Sequence, residues 1–113
     1  MDIDKLRQIG LSDKESNVYL ALIEFGDSLV SEIAERTRIN RSLLYDVLSG
    51  LADKGMVTYI LKNNVRYYRA AEPEKILSII REKENIFKTM LPELMALHKP
   101  QTKKPIVEIL EGK

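Results

Sequence analysis

The chain has 113 residues, no cysteine, one histidine and a formal net charge of +1. A chain of this length forms one small domain with at most an appendage, and the lack of cysteine excludes disulfides and thiolate metal sites. A single histidine, His98, leaves no histidine cluster and no nucleophilic triad, so zinc and hydrolase chemistry are poorly supported. The acidic start "MDIDKLRQ" and the short apolar runs lack the features of a signal peptide or membrane span. We therefore expect a cytoplasmic protein with no catalytic residues, cofactor, metal or membrane association.

The charge is unevenly distributed along the chain. Residues 1–35 carry three Lys or Arg against eight Asp or Glu, residues 36–69 carry seven against two, and residues 70–113 carry eight against seven. The basic middle block is typical of a surface that binds a polyanion, because each neutralised phosphate releases condensed counterions. A solvated basic face without a partner is the alternative that charge alone leaves open.

The first two predicted helices have clear boundaries. "IDKLRQIG" forms a short helix that Gly10 closes. Ser12 then caps a second helix, and Glu15 three residues later completes the capping-box spacing. Apolar positions cover one broad face of this helix until Gly26 ends it.

Two further helices are separated by only a few residues. Ser31 is the predicted cap of a helix of about two turns, and Asn40 caps the next helix. The fourth helix has apolar residues at helical spacing, namely Leu44, Val47, Leu48 and Leu51. Two helices joined by a tight turn predict a helix-turn-helix arrangement.

The opposite face of the fourth helix projects Arg41, Ser42 and Tyr45 from its first turns. Arginine can make bidentate hydrogen bonds to guanine or phosphate, and the hydroxyl groups of Ser42 and Tyr45 can donate to either. The helix N-terminus itself favours a phosphate. In the alternative interpretation Tyr45 belongs to the core and Arg41 is merely solvated.

A β-hairpin follows the helix-turn-helix. Two β-rich runs in "MVTYILKNNVRYYRA" flank "KNN", whose asparagines tolerate left-handed turn geometry. This hairpin would be the wing of a winged helix, with Lys62 and Arg66 at or near its tip. Tyr67 and Tyr68 are neighbours on one strand, so we expect at least one of them to be buried. The predicted DNA contacts are Arg36, Arg38, Asn40, Arg41, Ser42, Tyr45, Lys62, Asn63, Asn64 and Arg66.

Several stretches resemble one protein family. "IGLSDKESNVYLALIEFG", "SEIAERTRINRSLLYDVLSGLADKGMV", "RYYRAAEP" and "EKIL" are similar to the N-terminal domain of TrmB-family transcription regulators, a mostly archaeal group often tied to sugar-responsive control. The resemblance spans roughly residues 6–80. It implies a winged helix, operator binding and usually a dimer. Family members commonly carry a larger C-terminal sugar-binding domain, and "PIVEILEGK" resembles the start of that domain. We therefore expect no small-molecule effector to bind within this chain.

The region after Pro73 predicts a long helix over residues 74–98 with a coiled-coil-like apolar stripe. Further apolar residues widen this face beyond what one helix would leave in water, which indicates a partner surface. We expect a kink or break near residues 88–91, because Pro92 removes a helical hydrogen-bond donor. Folding back onto the same domain is the alternative. The predicted homodimer interface comprises Ile76, Ile80, Lys83, Phe87, Met90, Leu94 and Leu97.

The sequence thus predicts a mainly α fold with a small β-hairpin: a winged helix-turn-helix at residues 1–72, a dimerisation helix at 73–98 and a linker or tail at 99–113, possibly the start of an effector domain. The expected function is sequence-specific binding of double-stranded DNA by a dimeric transcription regulator. The alternative is a winged-helix module that binds protein without touching DNA.

Overall fold

The computed structural model describes residues 3–99 of the chain. Helices α1 (Ile3–Gln8), α2 (Asp13–Phe25), α3 (Val30–Thr37) and α4 (Arg41–Asp53) are followed by strands β1 (Val57–Lys62) and β2 (Val65–Ala70) and by helix α5 (Pro73–Leu97). This order confirms the predicted fold class. The chain divides into two compact units between Ile79 and Ile80, and the first turns of α5 belong to the first unit.

The capping signals at α2 and α4 were predicted correctly. The Glu15 amide donates to the Ser12 hydroxyl, while the Glu15 carboxylate accepts from the Ser12 amide at 2.9 Å. The Asn40 side chain accepts from the Leu43 amide at 2.9 Å and begins α4. In each case a local side-chain acceptor satisfies an amide that the helix itself leaves unpaired.

The predicted cap of α3 was wrong. Ser31 lies inside the helix, and Leu29 occupies the N-cap position. The Leu29 side chain has no acceptor, but its amide donates to the Glu32 carboxylate at 2.8 Å. The adjacent Val30 is buried, and burial of its apolar side chain therefore fixes the helix start two residues earlier than a polar cap would.

The core of the first unit is formed by the apolar faces of the helices and the inner face of the hairpin. Residues with less than 2% exposure include Val18, Leu22, Ile33, Leu44 and Leu51. Tyr19 is also buried, and its hydroxyl donates to the Ala71 carbonyl at 3.0 Å. This contact ties α2 to the segment after the wing, and burial raises the pKa of Tyr19.

The wing is a two-residue hairpin. Lys62 pairs with Val65 at the end of the ladder, and the loop residues Asn63 and Asn64 have φ angles of 52° and 64°. Two successive positive φ values define the turn whose twist matches that of the flanking strands, and asparagine adopts them readily. The wing is joined to the body by an antiparallel bridge between Ser28 and Tyr68.

Helix α5 departs from the sequence prediction at two positions. It continues through Pro92, so it does not break there, because a proline removes one donor while the turns on either side can keep their own hydrogen bonds. A kink near residues 88–91 stays a prediction. Ile76 is 9% exposed and packs in the core of the first unit. That burial removes it from the predicted dimer interface. The predicted tail at residues 99–113 lies outside the described residues except for Lys99.

Candidate nucleic-acid interface

The first turn of α4 presents polar side chains to solvent. Leu44 and Leu48 are buried and hold the helix against the body. Arg41 and Ser42 lie on the other side and are exposed, and Tyr45 is 48% exposed. The alternative in which Tyr45 fills the core is therefore wrong. Three side chains capable of contacting a groove or a backbone phosphate project from the start of this helix.

The two basic residues of the wing lie on opposite faces of the hairpin. Strand neighbours alternate between faces, and directly paired residues share one. Arg66 pairs with Leu61, whereas Lys62 pairs with Val65. Arg66 therefore lies on the same face as the buried Tyr68, and Lys62 lies on the other. The position of both residues near the tip is as predicted, but they cannot act as one cationic cluster.

Arg66 is held against aromatic rings on this inner face of the wing. Its guanidinium carbon lies 4.2 Å from the centre of the Tyr59 ring. The pKa of Arg66 is raised above its ordinary value, first by hydrogen bonding to Tyr68 and then by the proximity of Tyr59, with a smaller contribution from Tyr45. The contribution from Tyr45 reflects how near the inner face of the wing comes to helix α4.

A cleft of about 380 Å³ lies between the start of α4, the start of α3 and strand β2 of the wing. We call it the basic cleft. Its lining consists of Leu29, Val30, Ser31, Arg41, Tyr45, Val65, Arg66 and Tyr68. Arginines from two separate elements thus face one cleft, which is open to solvent and bears no acidic side chain among its lining residues.

Ser31 is a cleft residue that sequence reasoning assigned to a different role. It was predicted as a helix cap, whereas it is exposed in the first turn of α3 and lines the basic cleft. The signal that could have found it is its place three residues after a buried bridge residue, Ser28, which brings the start of α3 beside the wing.

Other cations of the basic block are paired within the chain. Arg69 makes two hydrogen bonds to Asp27, at 2.9 and 2.7 Å, and Lys62 lies 3.9 Å from the same carboxylate. The hydrogen bond from Arg69 is the main reason why the pKa of Asp27 is lowered. Lys54 pairs with Glu15 at 2.6 Å. These pairs reduce the free positive charge of the block and leave Arg41 and Arg66 more prominent.

Arg36 also lies away from the basic cleft. Its guanidinium carbon is 4.2 Å from the centre of the Phe25 ring, and it donates to the Ser28 hydroxyl at 3.0 Å. Arg38 is exposed in the turn between α3 and α4, with a left-handed φ of 61°. The structure therefore brings together only part of the predicted DNA-binding set, and Arg36 stabilises the contact between α2 and α3.

An apolar cleft of about 410 Å³ lies elsewhere in the first unit. It is bounded by α1, α2 and the first turn of α5, and Lys5 is the one charged residue among those that line it. A pocket that binds a small molecule usually adds several polar groups to an apolar lining. The absence of an effector from this chain stays a prediction.

Over residues 3–99 no helix is long and apolar enough to cross a membrane. The same residues contain no group of three or more His, Asp or Glu side chains arranged to hold a metal ion.

Helix-turn-helix, wing and long final helix together define a winged-helix protein, and comparisons with solved structures agree. TrmBL2, described as an archaeal chromatin protein with a novel mode of DNA binding, superposes with a TM-score of 0.70 at 26% identity over 82% of this chain and 38% of that chain. Two further proteins share the fold. A possible transcriptional regulator from Methanosarcina mazei has a TM-score of 0.67 at 12% identity over 88% of this chain and 91% of that chain. A MarR family protein from Bacillus stearothermophilus has a TM-score of 0.57 at 18% identity over 81% of this chain and 71% of that chain.

The family is shown by sequence. Residues 6–74 match the model of the family described as sugar-specific transcriptional regulator TrmB, and the chain belongs to this family. The HTH-type sugar sensing transcriptional regulator TrmBL1 of Pyrococcus furiosus is 39% identical over 80 residues, which are 71% of this chain but 23% of that protein. The chain thus spans about a quarter of the length of this relative. Its relatives are DNA-binding transcriptional regulators of the winged-helix type, not enzymes.

Proposed function

We propose that this chain binds double-stranded DNA in a sequence-specific manner as a homodimeric transcription regulator. The observation that carries the proposal is the basic cleft, in which Arg41 of α4 and Arg66 of the wing face the same space. Guanidinium groups bind phosphate and guanine through paired hydrogen bonds. A duplex that receives α4 in its major groove would place one backbone strand against this cleft.

The exposed first turn of α4 supports the sequence-specific part of the proposal. Arg41 and Ser42 have no ion pair or side-chain hydrogen bond within residues 3–99, so both are available to base edges. Tyr45 can add a stacking or hydroxyl contact one turn later. Arg38, Asn40, Asn63 and Asn64 are exposed at the adjoining turn and the wing tip, where we propose phosphate contacts.

Helix α5 supports the dimer. Its residues from Ile80 onward present large apolar side chains to solvent: Phe87 is 53% exposed, Met90 43% and Leu94 39%. Apolar surface of this extent on one helix is typical of an interaction site. We propose that Ile80, Phe87, Met90, Leu94 and Leu97 of two chains pair, with Lys83 at the polar position of the stripe. Such pairing would present two copies of α4 to half-sites separated by about one DNA turn or a multiple of it.

A salt series tests DNA binding. The affinity of the chain for a labelled random duplex would be measured by fluorescence anisotropy between about 50 and 200 mM salt. If each protomer of a dimer contacts phosphate through Arg41 and Arg66, the logarithm of the affinity should fall with a slope of about −3 to −4. Absence of binding at the lowest salt concentration would reject the proposal and favour a protein-interaction module.

Light scattering coupled to size exclusion tests the dimer separately. At tens of micromolar protein, roughly the range in which weak coiled-coil pairs associate, the proposal expects twice the mass of one chain. A single-chain mass at this concentration would contradict pairing through α5.

A further inference from the structure

The Tyr59 side chain lies on the inner face of the wing, on the strand position paired with Tyr68. It is 45% exposed, so the core does not require a large aromatic residue at this position. Its ring lies 6.0 Å from the ring of Tyr68, tilted by 55°, and carries the Arg66 guanidinium on its face at 4.2 Å. Because Tyr68 is only 7% exposed, it provides a fixed base for this group of two tilted rings and one cation.

The stack restricts where the Arg66 side chain can lie. An arginine on a two-residue hairpin tip would otherwise sample many rotamers and lose that freedom on binding a ligand. Stacking of the guanidinium plane on a ring leaves the N–H groups along the edge of the plane free to donate. Arg66 can therefore keep its contact with Tyr59 while it lines the basic cleft together with Arg41.

We propose that Tyr59 is a positioning residue that holds Arg66 in the basic cleft, so that Arg66 binds a backbone phosphate of the DNA strand that lies beside Arg41. This inference rests on the proposed DNA binding. It assigns Tyr59 a role in ligand binding, although its position in a β-strand alone would make it a structural residue.

The outer face of the wing supplies a matched control. Lys62 lies 5.0 Å from the centre of the Tyr67 ring, so a second tyrosine carries a second cation on the same hairpin. Lys62 is also 3.9 Å from Asp27, and Tyr67 does not line the basic cleft. Loss of the Tyr67 ring should therefore leave DNA affinity unchanged, whereas loss of the Tyr59 ring should lower it.

The test measures affinity for a random duplex at fixed salt for Tyr59→Leu, Tyr59→Phe and Tyr67→Leu, with thermal melting to follow the fold. Tyr59→Leu should weaken binding about two- to fivefold, the effect of one exposed cation–π contact. Tyr59→Phe retains a ring face and should bind like the unmodified chain. Tyr67→Leu should do the same.

A double-mutant cycle with Arg66→Ala provides the decisive readout. If Tyr59 acts through Arg66, Tyr59→Leu should have no further effect on affinity once Arg66→Ala is present. An equal loss from Tyr59→Leu in both backgrounds would overturn the inference, and so would unchanged affinity of Tyr59→Leu alone.

A second variant avoids any change of the Tyr59 side chain. Arg66→Lys keeps the charge but loses the planar stack, so it should weaken binding about two- to fivefold with the same salt slope. Affinity equal to that of the unmodified chain would overturn the inference. If Arg41→Ala weakens binding but Arg66→Ala does not, the proposed DNA binding stands and the inference about Tyr59 fails. If the unmodified chain binds no duplex, both the inference and the proposed function fail.

Discussion

Replacement of Arg41 by alanine should weaken specific DNA binding without affecting the fold. Arg41 is exposed in the first turn of α4 and makes no ion pair or side-chain hydrogen bond within residues 3–99. Its removal therefore breaks no ion pair or side-chain hydrogen bond of the described residues, and the free energy of unfolding should change by less than about 0.5 kcal/mol. Any loss of affinity can then be attributed to contacts with DNA.

The size of the expected loss follows from the number of contacts. One bidentate arginine contact is worth about 1–3 kcal/mol, which is about 5- to 150-fold in affinity for a single half-site. A dimer carries two copies of Arg41, and the half-sites are far enough apart for the two losses to add. On a two-fold operator the loss in free energy should therefore be about twice that on a single half-site.

Gel-shift titrations with a single half-site and with the two-fold operator measure the loss of affinity on each DNA. Two further variants support the interpretation. Lys14→Ala removes the same charge from an exposed position on α2 outside the basic block and should leave affinity nearly unchanged. Arg41→Lys should retain most of the affinity if Arg41 binds phosphate and lose most of it if Arg41 binds a base edge. Equal losses for Arg41→Ala and Lys14→Ala would refute the assigned role, since only net charge would then matter.

Three other predictions concern the wing, the core and α5. Replacement of Lys62 and Arg66 together by alanine should weaken binding to all duplexes about equally and make the salt slope shallower by up to about 2, with the larger share from Arg66; a loss confined to one DNA sequence would instead show that the wing reads bases. Burial would raise the pKa of Glu15, but hydrogen bonds from Lys54 and from Ser12 outweigh burial, so the pKa in the folded chain is lowered from its ordinary value of 4.5. The carboxylate therefore contributes its full stabilisation above pH 4.5, and this contribution is lost as the pH falls through the pKa of the folded chain. Glu15→Gln should therefore cost about 1–3 kcal/mol at neutral pH and flatten the dependence of the melting temperature on acid pH; an unchanged acid limb would contradict this. Ile80→Lys combined with Phe87→Glu should give monomers with an intact winged helix and weak operator binding, measured by light scattering and gel shift; a double mutant that stays dimeric would exclude this face.

Local signals in the sequence predicted most of the fold. Ser12, Glu15 and Asn40 mark helix starts because each cap depends on residues within three positions. Asn63 and Asn64 mark the wing turn for a similar reason. The start of α3 was misplaced because burial of Val30, a tertiary effect, decided it.

The charge pattern predicted the candidate interface less completely. Lys54 and Arg69 counted toward the basic block, but each pairs with a carboxylate some 40 residues away in the chain, and no charge count contains that information. The opposite orientations of Lys62 and Arg66 were within reach of the sequence. A two-residue turn pairs residue 62 with 65 and residue 61 with 66, and strand alternation then puts the two cations on different faces.

The most direct test of the account is an NMR titration of the chain with a duplex, followed by amide chemical-shift changes. DNA binding through the basic cleft predicts the largest changes at Arg41 to Tyr45 of α4, at Ser31 of α3 and at Val65 and Arg66 of the wing, with small changes on α2. Changes centred on α5 or on the apolar cleft bounded by α1 and α2, with the basic cleft unaffected, would contradict it.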